Sequence, residues 1–103
     1  MSTWPPREQR LRGALFQGKR KLLRREYLQA ALAFERAAKV ADGDEREPVR
    51  GLLHLAVAGY RRRQGDQVRA RRQLAHARRR LGLAPDPVQG VDVSGLLESF
   101  ELS

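Results

Sequence analysis

Gly51-Leu52-Leu53-His54-Leu55-Ala56-Val57-Ala58-Gly59-Tyr60 is the most apolar run of its length in the chain, and its reading decides the fold. His54 is the one strongly polar side chain in it. The run is too short to cross a bilayer, which takes about 20 apolar residues. Apolar residues on every side mark an element buried all round. The pattern begins at Pro48 and continues through Arg61-Arg62-Arg63-Gln64 before Gly65 breaks it. About 17 residues without a breaker exceed an ordinary strand. This is therefore a central buried helix, and the other elements are read as packed around it.

Upstream, Asp44-Glu45-Arg46-Glu47 reads as its start signal: Asp44 caps the backbone and Glu47 completes a capping-box arrangement. Tyr27, Ala30, Ala31, Phe34, Ala37, Ala38 and Ala41 share one helical face, which predicts a helix over 27–41 ended by Asp42-Gly43. Its alanines permit close helix approach. A first helix over 7–24 carries Leu11, Leu15, Leu22 and Leu23; Gly18 within it marks a close approach to a neighbour. Thr3-Trp4-Pro5-Pro6 is a lead-in, with Trp4 folded onto that helix. Downstream, Asp66 caps a helix to Leu81 whose inner stripe is Val68, Ala70, Leu74, Ala77 and Leu81. Arg69, Arg72, His76, Arg79 and Arg80 are expected on its opposite, solvated face. Gly82 and Pro85 stop it, Pro85-Asp86-Pro87 forms a rigid turn, and Asp92 caps a short last helix docked through Leu96, Leu97, Phe100 and Leu102.

The expected fold is all-α: an antiparallel bundle of four main helices in two hairpins, over 7–41 and 44–82, plus a short C-terminal helix within 83–103. It forms a single domain over residues 1–103. No apolar leader precedes it, so a cytoplasmic protein with no membrane segment is expected. Cysteine is absent, which removes disulfides, zinc–thiolate sites and thiol nucleophiles. The net charge of +9 is unevenly placed: residues 61–80 hold nine arginines against Asp66 alone. Such a patch favours anionic partners, nucleic acid among them. Arginine outnumbers lysine 18 to 3 along the chain, however, so compositional bias explains the patch equally well.

Arg25-Glu26-Tyr27-Leu28-Gln29-Ala30 superposes on Gly65-Asp66-Gln67-Val68-Arg69-Ala70 with an offset of 40, which also aligns Phe34 with Leu74 and Ala37 with Ala77. The repeat implies two hairpins of one construction. Helices 2 and 4 resemble the second helix of a tetratricopeptide repeat, with Gly18 and Ala58 at the small-residue position of the first helix. Solenoids usually need three or more repeats, so the two hairpins are expected to close on each other around helix 3.

A wider resemblance runs from Leu23 to Phe100. Arg50-Gly51-Leu52-Leu53-His54-Leu55-Ala56-Val57-Ala58, then Gln64-Gly65-Asp66, the Ala70/Leu74 helix, and Gly90-Val91-Asp92 with Leu96-Leu97 resemble a small all-helical bacterial family. That family is known only as a domain of unknown function, number three hundred and nine in its series. The resemblance implies an antiparallel helical bundle and no established activity. Its members carry a histidine and several glutamates in helix 2. Here the matching stretch is Tyr27 to Glu35, with Ala31 and Leu32 replacing the histidine and its neighbouring glutamate, and Glu35 as the residual polar position. The histidine common near the end of helix 3 is missing around Tyr60-Arg61.

No catalytic constellation emerges: the acids are scattered, no serine has a histidine in its sequence context, and no glycine loop fits a phosphate cradle. The chain is read as no enzyme, with no cofactor, catalytic or metal residue assigned. A metal site would need His54, His76 and carboxylates to converge; a lone helical histidine such as His54 is more often hydrogen-bonded packing. The leading expectation is a protein-interaction or scaffold domain, including self-association, with a groove lined by helices 1 and 3. The alternative is nucleic-acid or other polyanion binding through Arg61, Arg62, Arg63, Arg69, Arg72, Arg79 and Arg80. Against that alternative, the aromatic residues are not interleaved with the arginines in sequence.

Overall fold

A computed structural model describes residues 6–82 and 88–102. It is an all-α bundle: α1 (Arg7–Leu23), α2 (Tyr27–Val40), α3 (Arg46–Arg63), α4 (Gln67–Gly82) and α5 (Val93–Leu102), with a 3-10 turn at Gly43–Glu45. The expected positions of Trp4, Pro85-Asp86-Pro87 and the Leu102 side chain lie outside the described residues. Among those residues no helix is long and apolar enough to cross a membrane.

The two hairpin turns are the same object. Arg25 N–H donates to the Leu22 carbonyl (3.0 Å) and Glu26 N–H to that of Lys21 (2.9 Å). Forty residues on, Gly65 N–H donates to Arg62 (3.1 Å) and Asp66 N–H to Arg61 (3.0 Å). Both are Schellman closures, which satisfy the last carbonyls of a helix and require a left-handed residue after its cap. Arg25 (φ 61°) and Gly65 (φ 80°) are those residues. Asp66 then starts α4 as expected, its carboxylate accepting from Arg69 N–H at 3.0 Å.

Small residues set the packing. A side chain added at Gly18 would overlap the ring of Phe34, and one at Gly59 the ring of Tyr27, so α1 meets α2 and α2 meets α3 at van der Waals range. Gly51 lies as tightly against Leu81. Leu11, Leu15, Phe34, Leu52 and Leu55 are fully buried between these contacts. Helices adjacent in sequence are adjacent in space, α1 on α2, α2 on α3 and α3 on α4.

Several expectations are corrected. The start of α3 is not capped by Asp44. Asp42 accepts from Gly43 N–H at 2.9 Å and opens a 3-10 turn that runs directly into α3, while Glu47 reaches across to Arg80. Val68 is 67% exposed and Leu23 53% exposed, each falling just off the buried face of its helix. Helix α3 is not sealed all round, since Leu53, His54, Val57 and Tyr60 are half-buried on its outer side.

The C-terminal segment completes the core. Val88 and Val91 exchange both backbone hydrogen bonds around Gln89-Gly90, both left-handed, in a two-residue turn of the kind that joins tight hairpins. The Gln89 side chain donates to Glu45 (2.7 Å) and accepts from Arg12 (3.3 Å), linking the turn to the α2–α3 connection and to α1. Asp92 accepts from Gly95 N–H (2.9 Å) as the expected cap of α5. Helix α5 packs on α3 and α4, and Val93, Leu96 and Phe100 join Leu11, Leu15, Leu22, Leu52 and Leu55 in one buried cluster. Each such burial contributes about 1.5–3 kcal/mol, so the tail adds to the core that also buries Leu11 and Leu15 of α1 and Leu52 and Leu55 of α3.

Candidate interaction surfaces

Three surfaces carry the residues of interest. The first lies where both hairpin turns meet. Arg62 places its guanidinium 4.3 Å from the centre of the Phe100 ring, Arg63 lies 5.3 Å from that of Tyr27, and Arg61 lies 5.9 Å from that of Tyr60. Arginine and aromatic residues are thus interleaved in space although not in sequence. Guanidinium stacking on a ring leaves its in-plane N–H groups free to meet an anion. The rings themselves are occupied by arginine, so they offer no platform for base stacking.

Charge at this end is not consumed locally. The acids on the two turns are Glu26, paired with Lys21 at 3.0 Å, and Asp66, paired with Arg69 at 3.4 Å. The Lys21 ammonium beside Glu26 holds that carboxyl below its usual value, first through their hydrogen bond and then through charge. Among the described residues Arg24, Arg25, Arg61, Arg62 and Arg63 form no ion pair. Helix dipoles do not absorb the surplus either, because the negative ends of α1 and α3 sit beside the positive ends of α2 and α4.

The second surface is the outer side of α3–α4, and here the expected arginine stripe breaks up. Arg80 turns toward α3 and pairs with Glu47 at 2.9 Å, while Arg69 closes on Asp66 within its own helix. Arg72 and Arg79 are exposed and form no ion pair among the described residues. His76 is not a solvated member of that stripe. It is half-buried and stacked on His54, with ring centres 5.2 Å apart and planes 29° from parallel. His54 Nδ1 lies 2.7 Å from Gln73 Oε1, as expected of a histidine serving in packing. Among the described residues no three His, Cys, Asp or Glu side chains gather as a metal site. Glu35 is exposed on the outer ridge of α2, pointing away from the core.

The third surface is one that the sequence reading misses. Arg12, Phe16, Lys19 and Leu23 occupy one stripe of α1 at helical spacing. Their counterparts 40 residues on are Leu52, Ala56, Gly59 and Arg63, the edge of α3 that faces α2: Leu52 and Ala56 are fully buried, and Gly59 and Arg63 both touch Tyr27. On α1 the same edge has no helix packed along Arg12, Phe16 and Lys19 among the described residues, and only its end at Leu23 borders α5 across a small cavity. Phe16 is 55% exposed and Leu23 53%. The offset of 40 is legible in the sequence, and comparing edges across it finds this stripe.

No known protein family, curated protein or solved structure matches this chain.

Proposed function

We propose that the protein is a non-enzymatic interaction domain that docks a helix of another protein on the outer edge of α1. The observation that carries this reading is the unmatched edge itself: Arg12, Phe16, Lys19 and Leu23 stand where the equivalent edge of α3 receives α2. A helix placed there would bury Phe16 and Leu23, worth about 1.5–3 kcal/mol each when fully covered. Arg12 and Lys19 alternate with Phe16 and Leu23 along the stripe, so an acidic amphipathic helix has the complementary face. Leu11, Leu15, Leu52 and Leu55 of α1 and α3 are buried in the core, which favours this exposed edge over a groove between those helices as the docking surface. The test is a photo-reactive residue at position 16, with position 75 on the outer face of α4 as control, in cells producing the protein. A discrete adduct from position 16 alone, heavier than a dimer of this chain or distinct from it in mass, supports the reading. Equal labelling from both positions contradicts it.

A second reading is favoured by the unpaired arginines at the hairpin turns: polyanion binding, with nucleic-acid phosphates as the ligand. Fluorescence anisotropy with labelled oligonucleotides at about 50 and 200 mM salt tests it, since phosphate contacts predict a steep loss over that range. Changing Arg61, Arg62 and Arg63 together to glutamine should abolish such binding while leaving the α1 edge intact.

A further inference from the structure

Arg25 carries a side chain where its sister turn has glycine. The two turns match bond for bond, yet the left-handed position is Gly65 in one and Arg25, at φ 61°, in the other. Left-handed backbone disfavours residues with a Cβ. The other left-handed residue with a side chain among the described residues, Gln89, uses it to clip Glu45 and Arg12 together. The Arg25 guanidinium plays no comparable structural part, since among the described residues it forms no hydrogen bond or ion pair. Strain kept without a structural return points toward a ligand.

The surroundings of Arg25 supply a place for one. It lines a shallow depression of about 230 Å³ with Tyr27, Arg62 and Arg63. It also lines, again with Tyr27, a cavity of about 100 Å³ whose other walls are Leu22, Leu23, Leu96, Ser99 and Phe100. The two spaces share Arg25 and Tyr27 as walls, so a group seated among the three guanidinium groups lies beside a recess between the first hairpin turn and α5, walled by leucine and aromatic side chains together with Arg25 and Ser99. The orientation of Arg62 and Arg63 is fixed by the Phe100 and Tyr27 rings beneath them, so little freedom is lost when they meet an anion.

We propose that Arg25, Arg62 and Arg63 form a binding site for an organic anion, a phosphate or carboxylate joined to a small apolar group, with the anion held by the arginines and the apolar group inserted beneath α5. The site borders the α1 edge at Leu23, which lines its recess, but the three arginines that define it lie outside that edge. A polyanion contacting the same arginines would use their charge alone, whereas this site discriminates by the apolar group.

Phenyl phosphate, inorganic phosphate and phenylacetate are the probes, titrated into isotope-labelled full-length protein and followed by backbone amide shifts. Phenyl phosphate is expected to bind at least ten-fold more tightly than inorganic phosphate, with shifts confined to residues 22–27, 61–64 and 96–100. Phenylacetate should shift the same residues if a carboxylate serves as well as a phosphate. Arg25→Gly, whose backbone suits the turn, should fold and lose at least ten-fold in affinity for phenyl phosphate. Ser99→Leu, which narrows the recess, should bring phenyl phosphate down to the affinity of inorganic phosphate. Equal affinity for the two phosphates, or unchanged affinity in Arg25→Gly, overturns the proposal.

Discussion

Exchanging the residues at the two left-handed turn positions tests the repeat and its cost together. A side chain in left-handed backbone costs about 1–2 kcal/mol, and glycine returns about 0.5–1 kcal/mol of that through the greater freedom of the unfolded chain. Arg25→Gly should therefore stabilise the protein by about 0.5–1 kcal/mol, raising Tm by about 2–8 °C for a domain of this size. The reciprocal change isolates the backbone term, because a Cβ at Gly65 would meet nothing within 4 Å. Gly65→Ala should cost about 0.5–1 kcal/mol with no steric contribution. Urea denaturation followed by circular dichroism in the far ultraviolet measures both. A destabilised Arg25→Gly would mean that the Arg25 side chain holds the turn together, and a neutral Gly65→Ala would mean that φ at the turn carries no strain. Either result refutes the reasoning that makes Arg25 a functional residue.

Other outcomes follow from single contacts. Gly18→Ala drives a methyl into the Phe34 ring and should cost about 1–3 kcal/mol; Gly13→Ala, on the same helix in open space, should instead gain about 0.5–1 kcal/mol, both read from urea midpoints. Asp66→Ala removes the acceptor for Arg69 N–H and should lower stability by about 0.5–2 kcal/mol in the same assay. Glu45 accepts hydrogen bonds from Gln89 and Arg7, which hold its carboxyl below the usual glutamate value. Because the folded value lies below the unfolded one, the stability it supplies is complete above the usual glutamate range and is lost as pH falls through the folded value. Thermal midpoints of wild type and Glu45→Gln should accordingly converge on acidification, and parallel curves would deny Glu45 this role.

The helices are legible in the sequence because each is bounded by strong local chemistry. Gly65-Asp66 ends one helix and caps the next, and the apolar spacing of Tyr27, Ala30, Phe34 and Ala37 leaves one face to bury. Gly18 is legible as a contact point, since a mid-helix glycine is costly unless something approaches it. What stays hidden depends on residues far apart in the chain. Arg62 finds Phe100 only because α5 returns across the bundle, and no local pattern near Arg62 announces that return. Arginines surround His76 in sequence and suggest a solvent face, yet helical rotation turns it toward His54. The capping error at α3 has a local cause: Asp42 and Asp44 are both competent acceptors, and the 3-10 turn between α2 and α3 selects the earlier one. The exposed stripe on α1 is the instructive case. Leu23 looks like an ordinary core residue until the second hairpin shows which edge it and Phe16 occupy.

The most direct measurement is a titration of isotope-labelled protein with an acidic amphipathic helical peptide, read from backbone amide shifts. Docking on the unmatched edge predicts saturable shifts along α1 at Arg12, Phe16, Lys19 and Leu23, lost in Phe16→Glu. Shifts confined to Arg25, Arg61, Arg62, Arg63, Arg72 and Arg79, unaffected by Phe16→Glu, would show that the arginines alone attract the acid and would contradict the account.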